Sequence, residues 1–387
     1  MKNTRINLAV FRQFLQSGMA GGVILLLCVI LSLLVANSDL GPSFESFLQL
    51  EIGPEPVLKY SILTWINDGL MAIFFLLVGL EIKRELIEGE LSSPKKAALP
   101  ILAAIGGAIV PALIYLFFNK GTNAAEGWGI PMATDIAFAL AIVTLLGNKV
   151  PPALKIFLAA LAIVDDLLAI LVIAIFYTSE LHYLYLLYAA GLVALLFAFN
   201  KLGVKKLYFY LIPGAFIWYF IHHSGIHATI AGVLVAMTLP TTPDEKESPL
   251  EKLEHILLTP VNFVIMPLFA LVNTNIRFEE EMLQGISSPM GLGIILGLLI
   301  GKPLGITLIS RVAVGLKMAN LPEGTKWQQL FGIGIIAGIG FTMSVFISLL
   351  SFKENHLFLS EAKFSILLAS LLAGIIGSIY LSMLAKK

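Results

Sequence analysis

An all-α integral membrane fold of twelve transmembrane helices is predicted by three observations, and breaks in two of its spans add inverted-topology repeats with two interrupted helices that cross. Of 387 residues, 58% are hydrophobic and only 13% charged. A soluble domain carries roughly a quarter charged residues, so this chain lacks the polar surface to face water. Apolar runs long enough to span about 30 Å of hydrocarbon recur from end to end. Lys and Arg gather at alternate ends of those runs rather than scattering.

Charges, Gly and Pro delimit the spans in order. The first, 13–36, follows the basic stretch Met1 to Arg12 and stops at Asn37-Ser38-Asp39. It is a full-length span and reads as a retained anchor, not a cleavable signal. It holds Cys28, the single cysteine, so there is no disulfide framework and no Cys metal site. Span 61–82 closes on Lys83-Arg84, 97–119 opens after Lys95-Lys96, and 124–146 ends at Gly147. Next come 152–178, which opens on Pro152, then 182–200, 207–222 after Lys205-Lys206, and 225–240 closing on Pro240. The last four are 255–275, 289–310 opening on Pro289, 328–351 and 358–384. No linker or low-complexity tract separates them, so residues 1–387 read as one polytopic domain.

Basic residues test the count. With the N-terminus inside, one side collects Lys2, Arg5, Arg12, Lys83, Arg84, Lys95, Lys96, Lys149, Lys155, Lys201, Lys205, Lys206, Lys246, Lys252, Arg311, Lys317, Lys326, Lys386 and Lys387, nineteen of the 25. The other side receives Lys59, Lys120, Arg277, Lys353 and Lys363, and Lys302 stays within a span. That asymmetry fits twelve crossings with both termini cytoplasmic. A formal net charge of zero argues against a strongly basic nucleic-acid binder.

Ionisable groups left mid-span cost several kcal/mol unless paired or hydrated, so they mark function. Here they are Asp135, the adjacent Asp165 and Asp166, and Lys302. Adjacent helical residues point about 100° apart, so one Asp can face a water-filled cavity while the other turns to a neighbouring helix. Lys302 is the one intramembrane cation available to neutralise either acid.

Two spans carry breaks. Gly127, Gly129, Pro131 and Thr134 precede Asp135, and Gly332, Gly334, Gly338 and Gly340 precede Thr342. Each interrupted span is the middle one of a three-span set, 97–178 and 289–384, and corresponding spans lie seven apart, hence antiparallel. Segments 13–60 and 207–275 read as interface elements. Such duplication is the inverted-repeat logic of secondary transporters, whose half-helix ends meet at the ligand site. Asp135 is placed to offset positive helix ends and Lys302 negative ones. Thr134, Thr342 and freed carbonyls add oxygens suited to a small hard cation. The glycines of 332–340 have no Lys-Ser/Thr after them and sit in a span, which excludes a nucleotide loop.

Several stretches, in unbroken order from Asn67 to Ser344, carry a resemblance. They are Asn67-Asp68-Gly69, Gly79-Leu80-Glu81-Ile82-Lys83-Arg84-Glu85, Thr134-Asp135-Ile136-Ala137-Phe138, Asp165-Asp166-Leu167, Gly225-Ile226-His227-Ala228-Thr229, Gly301-Lys302-Pro303-Leu304-Gly305 and Gly338-Ile339-Gly340-Phe341-Thr342-Met343-Ser344. Together they resemble the signature stretches of NhaA-type bacterial sodium/proton antiporters, a family that itself exemplifies inverted repeats. The resemblance implies that Asp165 and Asp166 bind sodium and protons, with Asp166 the principal cation ligand. It implies that Asp135 and Lys302 balance the crossed half-helices, with Lys302 paired to Asp165. It assigns Glu81, Arg84, Glu85, Glu254 and His255 to a cytoplasmic cluster linked to pH sensing, and His227 to pH response. Residues 44–57 match an extracytoplasmic hairpin used for homodimerisation. Leu258 stands where other members carry a second histidine. From the residues alone, Glu81, Arg84 and Glu85 also fit a solvated helix end, His227 a packing residue, and Asp68 an extracytoplasmic helix-end charge.

The expected function is electrogenic, pH-dependent export of sodium or lithium in exchange for protons, in a bacterial inner membrane and without a cofactor. Two carboxyl groups out of water are suited to trading protons for a cation. An intramembrane aspartyl protease needs a dyad sharing a proton across a short gap, whereas this pair is contiguous on one helix. A passive cation channel would pass sodium without obligatory proton movement.

Overall fold

A computed structural model describes residues 18–55, 58–178, 181–241, 248–278 and 285–385. The start of the predicted first span lies outside the described residues, as do Lys2, Arg5, Arg12, Lys246, Lys386 and Lys387 and the last two positions of segment 44–57. In chain order the structure places α1 (Gly18–Ala36), α2 (Gly41–Leu48) and a hairpin of β1 (Glu51–Ile52) and β2 (Tyr60–Ser61). Then follow α3 (Ile62–Ile87), α4 (Pro94–Asn119) and a 3-10 segment (Ala125–Met132) leading into α5 (Ile136–Leu145). After these come α6 (Pro152–Phe176), α7 (Tyr183–Lys201), α8 (Tyr208–His222) and α9 (Ile230–Thr238). The chain closes with α10 (Pro249–Asn273), α11 (Pro289–Gly315), α12 (Trp327–Ala337), α13 (Phe341–Ser351) and α14 (His356–Leu384).

Local chemistry explains the starts. Pro94, Pro152, Pro249 and Pro289 open α4, α6, α10 and α11, where a missing N–H costs nothing. Ser248 and Glu251 close a capping box on α10, and the Ser288 hydroxyl accepts from Gly291 N at the start of α11. In the hairpin, Gly53 has φ +121°, and a Cβ there would fall 2.0 Å from the Leu58 carbonyl oxygen, so only glycine fits. Beyond that turn the exposed Lys59 binds the Glu55 carboxylate and faces Glu51, which together raise its pKa.

Every predicted span holds a helix, but not all are of spanning length. Among the described residues, eight helices are long and apolar enough to cross a membrane. The number reaches ten if each of two bent pairs counts as one span: α1 with α2, bent by 113°, and α12 with α13, bent by 48°. The helices α8 and α9 have 15 and 9 residues, about 22 and 14 Å at 1.5 Å per residue. Predicted span 225–240 is short because Gly225, at φ +88°, turns the chain and delays the helix to Ile230.

Glycines set the helix crossings. A Cβ on Gly305 would lie 2.1 Å from the Gly106 carbonyl oxygen, and one on Gly106 2.4 Å from that of Gly305, so α4 and α11 touch backbone to backbone. Likewise Gly232 of α9 lies against the Ala72 carbonyl of α3. Small residues permit this approach where no hydrophobic effect drives helices together. The largest buried apolar cluster includes Ile130, Met132, Ile339 and Phe341, and so encloses both chain breaks.

Candidate functional site

The two breaks meet. After the 3-10 segment, Ala133 and Asp135 take extended backbone, and Asp135 N donates to Ile339 O at 2.7 Å, in the Gly338–Gly340 bend between α12 and α13. Pro131 lies two residues before the first break and packs on Gly297 of α11. Gly338 sits against the Leu298 carbonyl, at 2.4 Å from where a Cβ would be, so a larger residue would push the bend off α11. The Ser344 hydroxyl donates to Ile130 O at 2.7 Å and ties the two halves a second time.

The freed backbone groups at this crossing are satisfied by buried side chains. Asp135 accepts from Phe138 N at 3.0 Å, capping α5, and from Thr342 N at 3.1 Å and Thr342 Oγ1 at 2.5 Å. One carboxylate thus serves the positive ends of both inner half-helices. On the negative side, Lys302 Nζ donates to Met132 O, which ends the 3-10 segment, and the Thr134 hydroxyl to Ala337 O, which ends α12, at 2.9 Å. We predict that Asp135→Ala lowers stability by about 2 kcal/mol or more, since removing one N-cap costs about 1 kcal/mol and here two helix starts lose their acceptor. Thr342→Val removes a single hydroxyl contact and should cost less. Thermal unfolding of the two purified variants checks the order, and a milder loss for Asp135→Ala would refute the shared cap.

The acid pair on α6 lies beside this crossing. Lys302 Nζ is 2.6 Å from Asp165 Oδ2, and Thr134 Oγ1 lies 2.7 Å from the same oxygen. A hydroxyl has one proton, so Thr134 serves either Asp165 or Ala337 O at any instant. Asp165 and Asp166 are each 2% exposed, and Lys302 is fully buried. Asp165 Oδ1 and Asp166 Oδ1 have no protein hydrogen-bond partner. Buried carboxylate oxygens are usually bonded within the protein, and these two are not. The charges of Asp165, Glu81, Asp135 and Lys302 all act on Asp166.

The remaining sequence-predicted residues fall into two groups. Arg84 Nε lies 3.3 Å from Glu254 Oε2 and Arg84 Nη2 3.4 Å from Glu85 Oε1. The Arg84–Glu254 contact is an ion pair without hydrogen-bond alignment, because both atoms lack a hydrogen-bond partner. Glu81 lies in the field of Glu254, Arg84 and Glu85, and His255 acts on Glu254. Glu81, Arg84, Glu85, Glu254 and His255 therefore converge from α3 and α10. His227 does not join them. Its Nδ1 lies 2.9 Å from Thr229 Oγ1 and its Nε2 3.6 Å from Asp68 Oδ1, thirteen residues before Glu81 on α3, about 20 Å away.

Sequence reasoning missed several participants. Met132 and Ala337 act through carbonyls, which no side-chain pattern reveals. His222, whose Nδ1 is 3.5 Å from Asp68 Oδ2, and the reciprocal Asn67–Asn273 amide pair at 2.7 and 3.2 Å are polar residues in apolar runs. That polarity was the available signal.

Comparison with known proteins adds independent information. The family model described as Na+/H+ antiporter 1 matches residues 12–381. The Na(+)/H(+) antiporter NhaA 2 of Flavobacterium johnsoniae is 65% identical over 381 residues, covering 97% of this chain and 93% of the relative. The Na(+)/H(+) antiporter NhaA of Cytophaga hutchinsonii is 49% identical over 378 residues, 98% of this chain and 96% of the relative. That of Dechloromonas aromatica is 48% identical over 386 residues, 99% and 98% respectively.

Proposed function

The chain belongs to the Na+/H+ antiporter 1 family, and on that premise we propose that it exports sodium in electrogenic, pH-dependent exchange for protons, by alternating access at Asp165 and Asp166. It is a multi-pass membrane transporter of the sodium/proton antiport class and not an enzyme. The observation that carries the finer reading is the buried acid pair beside the crossed chain breaks, with one oxygen of each carboxylate lacking a protein partner. Sodium and protons compete for those oxygens, and lithium, small and hard, substitutes. Two carboxyl groups facing one monovalent cation release more proton charge than the cation brings, which makes the exchange electrogenic. The interrupted segments belong to inverted repeats at 97–178 and 289–384 in a twelve-span chain with cytoplasmic termini. The chain sits in the bacterial inner membrane as a homodimer formed through segment 44–57. The cluster of Glu81, Arg84, Glu85, Glu254 and His255 then faces the cytoplasm and governs the pH response, with His227 acting from the opposite end.

The test is sodium-driven proton movement in proteoliposomes across a pH series. Below the apparent pKa of the coupled pair, each unit of acidification raises the half-saturating sodium concentration about tenfold per competing proton. Above it the dependence flattens. Glu254→Ala instead alters the maximal rate at saturating sodium, because it touches the cluster and not the pair. A half-saturating concentration that stays constant through the acidic limb eliminates the shared site, and sodium flux with no proton movement favours a channel.

A further inference from the structure

The charged residues at the Glu81 end of α3 leave the helix on different sides. Lys83 lies about 200° around the axis from both Glu81 and Glu85. The face of Lys83 continues back through Gly79, Leu76 and Ala72, at helical spacings of three and four, and that face lies on α9. A Cβ on Gly232 would fall 2.1 Å from the Ala72 carbonyl oxygen and 2.7 Å from Leu76 N, and one on Gly79 2.7 Å from the Cβ of Ala236. One turn beyond Gly79, Lys83 Nζ donates to Met237 O at 2.7 Å and to Leu239 O at 2.5 Å. The rest of the last turn of α9 is paired as well. Val235 O accepts from the Thr238 hydroxyl, Ala236 O from Leu239 N, and Thr238 O from Asn200 Nδ2 of α7 at 2.7 Å. Such terminal carbonyls have no partner within their own helix, and a lysine is a suitable donor to them. Past the end of α3, Glu88 accepts from the Thr241 hydroxyl at 3.0 Å, which ties α3 to the chain leaving α9 a second time. The acids of the cluster stand on the other side. The charges of Glu254, Arg84 and Glu85 act on Glu81, those of Arg84, His255, Glu251 and Glu85 act on Glu254, and that of Glu81 acts on Asp166.

We infer that Lys83 is a positioning residue for the pH response: clamped to the end of α9, it fixes the rotation of α3 about its own axis and so the aim of Glu81 and Arg84. This rests on the role proposed above for the cluster. Small residues at Gly79 and Gly232 set how closely α3 and α9 approach, but they give no direction. Hydrogen bonds are directional, and the two from Lys83 hold one face of α3 against fixed carbonyls. Because Glu81 and Glu85 project from the far side, any rotation released at Lys83 carries them, with Arg84, past Glu254 of α10. The Arg84–Glu254 contact at 3.3 Å is then lost, and the charge of Glu81 meets Asp166 from a different place.

The experiment reconstitutes wild type, Lys83→Met, Lys83→Arg and Asn200→Ala in proteoliposomes and records the exchange rate at saturating sodium across a pH series. Lys83→Met keeps the stem and loses the donor. Its pH midpoint should move upward by about half a unit or more, because a carboxylate parted from a cation takes up its proton more readily. The half-saturating sodium concentration at the optimum pH should stay at the wild-type value. Lys83→Arg still offers donors to both carbonyls and should keep the wild-type midpoint. Asn200→Ala uncaps the same end of α9 from the α7 side, so it should lower thermal stability and leave the pH profile in place. A wild-type pH midpoint in Lys83→Met overturns the inference. An equal shift in Asn200→Ala overturns it too, since the end of α9 and not the rotation of α3 would then be the cause. If Lys83→Met does not insert, the shorter, uncharged Lys83→Gln is held to the same criteria. Failure of the underlying pH reading looks different: the wild-type profile would itself be flat at saturating sodium, and the inference would fall with it.

Discussion

Asp166→Asn is expected to abolish sodium/proton exchange while leaving the protein folded. Asparagine keeps the shape of the side chain but can neither carry the exchanged proton nor supply a full negative charge to the cation. At 4 Å and an effective dielectric near 20, one charge pair is worth about 4 kcal/mol, or nearly a thousandfold in affinity. Stability should move the other way. Asp166 is 2% exposed, its Oδ1 has no protein partner, and it shares its surroundings with the acids Asp165 and Glu81. Neutralising it relieves repulsion, so the unfolding midpoint of the purified variant should not fall below wild type. Exchange at the wild-type rate would remove Asp166 from the transport site. A lowered midpoint would show that its charge is held by a contact that the geometry does not contain.

Lys302→Ala has the largest expected effect on the fold. The ammonium is fully buried, 2.6 Å from Asp165 Oδ2, and bound to Met132 O. Its removal strands a buried carboxylate and the terminal carbonyl of a helix segment at once. Breaking one side of a buried ion pair costs about 3–5 kcal/mol, mostly through the charge left behind. That origin makes the loss reversible. Asp165→Asn combined with Lys302→Ala removes both charges and should recover most of the stability, an interaction that a double-mutant cycle measures directly. Equal unfolding midpoints for Lys302→Ala and wild type would contradict the pairing. A double variant no more stable than Lys302→Ala would trace the loss to the Met132 carbonyl instead.

Much of the architecture is legible along the chain because a bilayer imposes length and polarity on every segment. Runs of about twenty apolar residues, alternating Lys and Arg, and Pro or Ser at helix starts locate helices to within a few residues. Residues 207–222 and 225–240 show where that logic thins: both are apolar, yet Gly225 at φ +88° turns the chain, and length along the sequence stops measuring length across the membrane. The acids Asp135, Asp165 and Asp166 stand out for the same energetic reason, since their presence in apolar runs needs a compensating partner.

Identifying those partners was beyond the linear pattern, with the exception of the Lys302–Asp165 pair implied by the family motifs. From composition, Lys302 could answer either acid of the pair. The structure joins it, on a helix that Gly106 and Gly305 let pack backbone to backbone on α4, to Asp165 of α6. The chain breaks and the family motifs set Asp135 against positive helix ends, but only the structure shows its one carboxylate capping two helices 205 residues apart in their first positions, Ile136 and Phe341. Residue type and position along the chain reveal which groups are too costly to bury alone. Tertiary structure decided which of them meet, because a hydrogen bond or ion pair depends on distances of about 3 Å between helices, and those are set by where glycines let backbones touch.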